Sequence, residues 1–206
     1  MAVNIPPGGT VIDTFKGNFT KVPVDKSKGN AISTSEFLEA AESITTIFDL
    51  LGSVAFTPVK NDILGNVEKI RKRQLAAPLD SQNLQDLVRN ELKTKSHTAT
   101  EGLLWLGRGL EFLCAALTQN LNNPTEELSK SFGIAYEGTL KQYHNFVARG
   151  LFAAALKACP YRKDFYAKFG DDLQKVYAAL KEYLAALEAI VAILKEFMTS
   201  PEAQWK

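Results

Sequence analysis

Asp62, Asn66 and Lys69 stand in the segment Thr57-Pro-Val-Lys-Asn-Asp-Ile-Leu-Gly-Asn-Val-Glu-Lys-Ile-Arg-Lys72. Thr57 followed by Pro58 predicts a helix start, a capping residue with proline at the first helical position. At about 100° per residue the three polar residues fall within an arc of about 60°. Val59, Ile63, Val67 and Ile70 form the apolar arc beside them. An anion, an amide and a cation at the edge of a core-facing stripe suit a ligand with one polar and one greasy end. A solvated helix flank is the alternative, because Asp and Lys seven residues apart are too distant to pair strongly.

Trp105 lies in Leu103-Leu-Trp-Leu-Gly-Arg-Gly-Leu-Glu-Phe112, with Gly109, Phe112 and Ala116 on its side of a helix. Glycine inside a helix costs about 1 kcal/mol relative to alanine, so Gly107 and Gly109 suggest close approach by another backbone or a ligand. The indole is either core filler or a flat platform for a sugar or a base. His144 has Leu140, Ala148, Leu151 and Ala155 at helical spacing. It reads as a satisfied core histidine or as one polar group beside a chain-like ligand.

Helices must position these residues. Residues 1–32 carry Pro6-Pro7-Gly8-Gly9, Pro23 and Lys28-Gly29 with little periodicity, an irregular N-terminal arm pinned by Phe15, Phe19 and Val22. Ser33-x-x-Glu36 is a capping box that opens a helix running to Leu51 and stopped by Gly52. The Thr57 helix ends before Pro78, and Asp80 or Ser81 starts a shorter one through Leu92. Thr98 or Thr100 opens a strongly apolar helix to about Leu121, closed by Asn122-Asn123-Pro124. Thr125 caps a further helical pattern that reaches Pro160 and bends midway. A short element spans Asp164–Phe169, and a last helix from near Asp171 has a clear stripe ending at Phe197. No strand alternation is sustained. The expectation is an all-α chain of about eight helices, with residues 33–206 as one domain.

Bulk properties narrow the function. Lys+Arg 24 against Asp+Glu 23 leaves a net charge of +1, too little field to hold a nucleic acid. No run approaches the roughly 18 apolar residues of a membrane span, and no signal peptide is visible. Cys114 and Cys159 fit reduced thiols in a cytoplasmic protein better than a disulfide framework. Asn18-Phe19-Thr20 matches a glycosylation acceptor that is idle without a secretory signal. No serine elbow or metal-ligand cluster is present, and His97 is the one other histidine, so a lipid hydrolase using His144 and Asp62 is the weaker reading. No cofactor and no metal are expected.

Taken together, the segments resemble the glycolipid transfer protein family. The resemblance rests on Leu51-Gly-Ser-x-x-Phe-Thr-Pro-Val-Lys-x-Asp-Ile-x-Gly-Asn-Val-x-Lys-Ile70, Leu104-Trp-Leu-x-Arg108 and Lys141-x-Tyr-His144, followed by Ala158-Cys-Pro-Tyr-Arg-Lys-Asp-Phe165 and Trp205-Lys206. It covers about residues 35–206 in the same order. The long arm and a tryptophan near the end look closer to the fungal heterokaryon-incompatibility branch. The resemblance implies a two-layer sandwich of α-helices, with a surface sugar site leading into an apolar pocket for ceramide. It implies a carrier that moves a glycosphingolipid, such as glucosylceramide or galactosylceramide, between membranes without chemical change.

By the same resemblance, Trp105 stacks on the first sugar while Asp62, Asn66 and Lys69 bond its hydroxyls. Asp62 also accepts from the ceramide amide N–H, and His144 donates to the amide carbonyl. Trp205 stands where the family has a tyrosine and lies near the site; the changed ring puts its hydrogen bond in doubt. Relatives that carry phosphorylated sphingolipids have arginine in place of Trp105, since phosphate needs a charged fork.

The hydrocarbon sleeve is expected from Phe37, Phe48, Phe56, Val59 and Phe112 on one side. Leu140, Ala148, Leu151, Phe152, Ala155 and Leu156 complete it. Brief docking to membrane surfaces is expected through Phe146, Tyr161, Arg162 and Lys163. A sensor that binds the same lipid and reports it to a partner needs the same pocket, so it remains an alternative.

Overall fold

The helix that runs from Thr98 to Asn122 organises the molecule. The computed structural model describes residues 4–205; residues 1–3 and Lys206, the ends of the expected arm and domain, lie outside the described residues. Nine α-helices are described: α1 (Thr34–Ser43), α2 (Thr46–Leu51), α3 (Thr57–Ala76), α4 (Leu84–Leu92), α5 (Thr98–Asn122), α6 (Leu128–Gly138), α7 (Phe146–Lys157), α8 (Arg162–Ala167) and α9 (Leu173–Thr199). α1 packs on α3, α3 on α5 and α5 on α6, and α9 also packs on α5. The result is the expected two-layer helical sandwich. The one sheet among the described residues is a two-residue antiparallel ribbon, β1 (Val24–Asp25) on β2 (Ala31–Ile32).

α5 is held at both ends by buried polar groups. Glu91 of α4 accepts from Ala99 N at 2.9 Å, Thr100 N at 2.7 Å and Thr100 Oγ1 at 2.7 Å. A carboxylate here serves the orphan N–H groups and the positive pole of the helix together. At the far end Asn120, fully buried, donates to Ser131 Oγ at 2.9 Å and accepts from Tyr166 OH at 2.9 Å. α3 lies close against α5 at Gly102. A Cβ built there would stand 3.3 Å from the Asn66 carbonyl and 3.3 Å from the Lys69 side chain.

The arm lies on the helices. Phe15 and Phe19 meet the Tyr183 ring edge-on at 5.6 and 5.7 Å, and Phe19 also meets Phe37 at 6.2 Å. Gly17 N donates to Ser43 Oγ at 2.9 Å, and its Cα runs so close to Glu39 that any side chain would collide.

Several helix boundaries differ from the sequence reading, each for a local reason. The expected helix to Leu51 is split, because the chain tightens at Ile44–Thr45 before α2 begins. The Ser33 and Glu36 side chains bond each other rather than closing a capping box. Thr57 is the first residue of α3 rather than its cap, Asn83 caps α4 in place of Asp80 or Ser81, and Glu127 rather than Thr125 precedes α6.

The largest difference falls at Thr139–Asn145. The pattern expected to bend is broken: α6 stops at Gly138, a single turn covers Lys141–Tyr143, His144 is extended, and Asn145 caps α7 by accepting from Ala148 N at 2.9 Å. Gly138 is a weak helix former, and asparagine three residues before an N–H is a helix start. His144 therefore sits in a connector, not on a helix face.

Candidate functional site

On α3 the side chains of Asp62, Asn66 and Lys69 form a bonded row. Asn66 Nδ2 donates to Asp62 Oδ2 at 3.2 Å, and Lys69 Nζ donates to Asn66 Oδ1 at 3.1 Å. A carboxylate only accepts and an ammonium only donates, so the buried amide, 3% exposed, is locked in one orientation. The amide relays between two charges too far apart to pair directly. Asp62 and Lys69 keep their outer sides exposed and retain bonding capacity toward a ligand.

α5 brings Trp105 opposite this row, and the connector brings His144. All five residues line a single cavity of about 460 Å³, within the size range of small-molecule sites. Val59, Leu140, Ala148, Leu151 and Phe152 form its apolar wall. The Trp105 and His144 rings lie nearly parallel, 23° apart with centroids 6.3 Å apart. Tyr136 OH bonds His144 Nδ1 at 3.1 Å, leaving Nε2 as the ring's free hydrogen-bonding atom. Burial pushes His144 below the usual histidine range; nearby Arg149 adds to this and Asp62 opposes it. Burial pushes the Asp62 carboxyl up, against the pull of Lys69 and His144. Burial thus disfavours the charged form of both groups.

The other expected lining residues divide by depth. Phe48, Phe56, Phe112, Ala155 and Leu156 close around a void of only about 10 Å³, which Val59 and Phe152 also border. That is at the lower limit for one water, so the inner part of the sleeve is shut. Phe152 and Val59 stand between the two spaces, the Phe152 ring on Tyr136 at 4.5 Å and 9°. Phe37 lines neither space: it is fully buried against the arm, a correction that follows from its packing on Phe19. Gly109 approaches Ile63 of α3, at 3.7 Å from a notional Cβ, whereas Gly107 has open space instead of the expected close neighbour.

Trp205 stacks on His97 at 5.4 Å and 16°, at the start of α5, and is not among the cavity-lining residues. Of the residues expected at a membrane, Phe146 is 90% and Tyr161 73% exposed, and Lys163 is exposed. Arg162 turns inward: Nε donates to Asn120 Oδ1 at 3.1 Å and Nη1 to Tyr177 OH at 3.2 Å. Its charge serves the buried network at the end of α5, so it is no surface cation.

Sequence reasoning missed Glu101 and Tyr143, both on the cavity wall. Glu101 is one turn before Trp105, a spacing that places both on one helix face. Tyr143 was obscured by the helix expected through it. Arg108 lies 3.6 Å from the Tyr143 ring centroid and 4.9 Å from that of Trp105, so a cation backs the aromatic wall. No group of three His, Cys, Asp or Glu among the described residues is placed to hold a metal ion.

Comparison with known proteins finds one family across most of the chain. The family model described as "Glycolipid transfer protein (GLTP)" matches residues 32–171. A glycolipid transfer protein from Aureobasidium melanogenum is 59% identical over 200 residues, covering 97% of this chain and 98% of that protein. The crystal structure of HET-C2, a fungal glycolipid transfer protein, superposes with a TM-score of 0.93 at 67% identity, covering 95% of this chain and 100% of that one. The GLTP-fold structure of FAPP2, described as selecting simple glycosphingolipids, superposes with a TM-score of 0.83 at 31% identity, covering 92% and 94%.

Proposed function

This chain belongs to the glycolipid transfer protein family, and we propose on that footing that it carries a glycosphingolipid between membranes without altering it. The observation that carries the reading is the continuity of one cavity, polar at Asp62, Asn66, Lys69 and Trp105 and apolar toward Phe152. An exposed CH₂ costs about 0.8 kcal/mol, so two long chains facing water cost on the order of 20 kcal/mol. A protein sleeve removes most of that barrier. The shut void beyond Phe152 can open by side-chain rotation, since each helix keeps its own backbone hydrogen bonds.

In this reading Trp105 stacks on a neutral hexose while Asp62, Asn66 and Lys69 bond its hydroxyls. Asp62 accepts from the ceramide amide N–H, and His144 Nε2 donates to the amide carbonyl. Glucosylceramide and galactosylceramide fit. A lipid without those groups leaves the row unpaired, which is costly in a partly desolvated site. A flat indole rewards a sugar face, whereas a phosphate head group needs a charged fork. Residues 33–206 serve as the carrier domain and residues 1–32 as its packed arm.

Brief docking from the cytoplasmic side is supported by the outer face of α7. Phe146, Val147 and Leu151 are 90%, 69% and 52% exposed, and Tyr161 and Lys163 are exposed as well. Among the described residues no helix is long and apolar enough to cross a membrane.

The test is transfer of labelled galactosylceramide or glucosylceramide between vesicles, with product analysis. Unmodified lipid should arrive while phosphatidylcholine stays, and Asp62→Val should reduce movement by roughly ten- to one-hundred-fold, as loss of a charged hydrogen-bond partner implies. Trp105→Arg should weaken neutral lipid transfer. Chemical turnover of the lipid, or tight binding with no transfer, overturns the carrier reading, the second in favour of a sensor.

A further inference from the structure

Tyr136 is not among the residues that line the cavity, yet it bonds one that is. It stands on α6, 5% exposed, with its hydroxyl 3.1 Å from His144 Nδ1. Packing fixes the phenol ring, which stacks on Phe152 at 4.5 Å and meets Phe112 edge-on at 6.4 Å. The connector that carries His144 is held as well. Arg149 Nε donates to the His144 carbonyl at 2.9 Å, and Nη2 donates to the Lys141 carbonyl at 3.2 Å. With its backbone clamped and Nδ1 bonded, the imidazole has one free hydrogen-bonding atom, Nε2.

Which nitrogen bears the hydrogen follows from the donors and acceptors at hand. Burial disfavours the charged ring. A neutral imidazole has one N–H that donates and one bare nitrogen that accepts, and the bond made by one nitrogen sets the role of the other. Among the described residues, Nδ1 is the one hydrogen-bond partner of the Tyr136 hydroxyl. Were the hydrogen on Nδ1, the phenol would accept, and its own O–H would point at no protein acceptor. That orphan donor is costly in a buried place. The phenol therefore donates, Nδ1 accepts, and the hydrogen lies on Nε2.

A bare Nε2 repels a carbonyl oxygen, because both are acceptors, whereas Nε2–H bonds it. Asp62 is an acceptor and takes an amide N–H. The two residues match the two ends of one amide only when His144 is the donor. Resting on the carrier reading above, we infer that Tyr136 is a positioning residue: its hydroxyl holds His144 as an Nε2–H donor toward the ceramide amide carbonyl.

The experiment reads the nitrogen and the transport separately. The ¹⁵N-labelled, lipid-free chain and its Tyr136→Phe variant are measured by NMR at pH about 8, above the usual histidine range. The chain has two histidines, so a His97→Gln variant assigns the signals. Nε2 bears the hydrogen in the unmodified chain, and both tautomers appear in Tyr136→Phe. Vesicle transfer of galactosylceramide falls by roughly five-fold in Tyr136→Phe, the worth of one neutral hydrogen bond. Phenylalanine keeps the ring that stacks on Phe152. In a His144→Gln background the same change has no further effect, because the glutamine amide donates without Tyr136.

Hydrogen on Nδ1 in the unmodified chain overturns the role of Tyr136 and leaves the carrier reading intact. So does a loss of transfer under roughly two-fold, or an equal loss in the His144→Gln background, which would place the effect in packing. Failure of the unmodified chain to move galactosylceramide overturns the carrier reading, and the role of Tyr136 with it.

Discussion

Phe152→Ala tests how the head-group cavity connects to the shut inner void. The Phe152 ring is 8% exposed, stacks on Tyr136 at 4.5 Å and meets Phe112 edge-on at 5.4 Å. Burying such a ring contributes about 1.5–3 kcal/mol, and the Tyr136 stack adds about 1 kcal/mol. Truncation of a buried phenylalanine usually costs about 3–5 kcal/mol. Because one side of this ring already faces the cavity of about 460 Å³, the cost should lie near the low end, about 3 kcal/mol. For a chain of 206 residues that is a fall in Tm of roughly 6–12 °C, read by circular dichroism.

The same truncation should help long lipids. In the unmodified chain a long acyl chain must turn the ring off Tyr136, forfeiting about 1 kcal/mol. The variant has no ring to move. The ratio of long-chain to short-chain galactosylceramide transfer should therefore rise by roughly five-fold. A Tm change under about 3 °C would mean that the ring is not packed as described. An unchanged chain-length ratio would mean that lipid does not pass this partition.

Four further outcomes follow from charge and exposure. Asp62 has a folded pKa raised by burial, so its stabilising contribution is present below the unfolded value near 3.8 and is lost as pH rises through the folded value. Asp62→Asn should therefore hold or raise Tm at pH 7 while cutting glycolipid transfer. His144 is shifted the other way: its contribution is complete above the unfolded value near 6.5 and is lost as pH falls through the folded one. His144→Gln should flatten that part of a stability-against-pH curve. At the surface, Phe146→Ala should reduce retention on glycolipid-free vesicles several-fold with little change in Tm, whereas Arg162→Met should lower Tm through the Asn120, Tyr166 and Tyr177 network and leave retention unchanged. The reverse pattern would reassign the two residues.

Periodicity and punctuation determined the helices with strong signals. Pro58 and Pro78 bracket α3, Asn122-Asn123-Pro124 closes α5, and the stripe to Phe197 runs through α9. These signals act within a few residues, where backbone sterics and one apolar face settle the outcome. The angular arc of Asp62, Asn66 and Lys69 was legible for the same reason, because a helix turns by a constant angle. What one chain segment could not say is how another would meet it. The relay through Asn66, the closure of the inner void by Phe152 and the inward turn of Arg162 depend on side chains far apart in sequence. The break at His144 was hidden because an apolar run satisfies a helix and a connector alike. The tertiary contacts around Tyr136 and Trp105 accommodate the connector there.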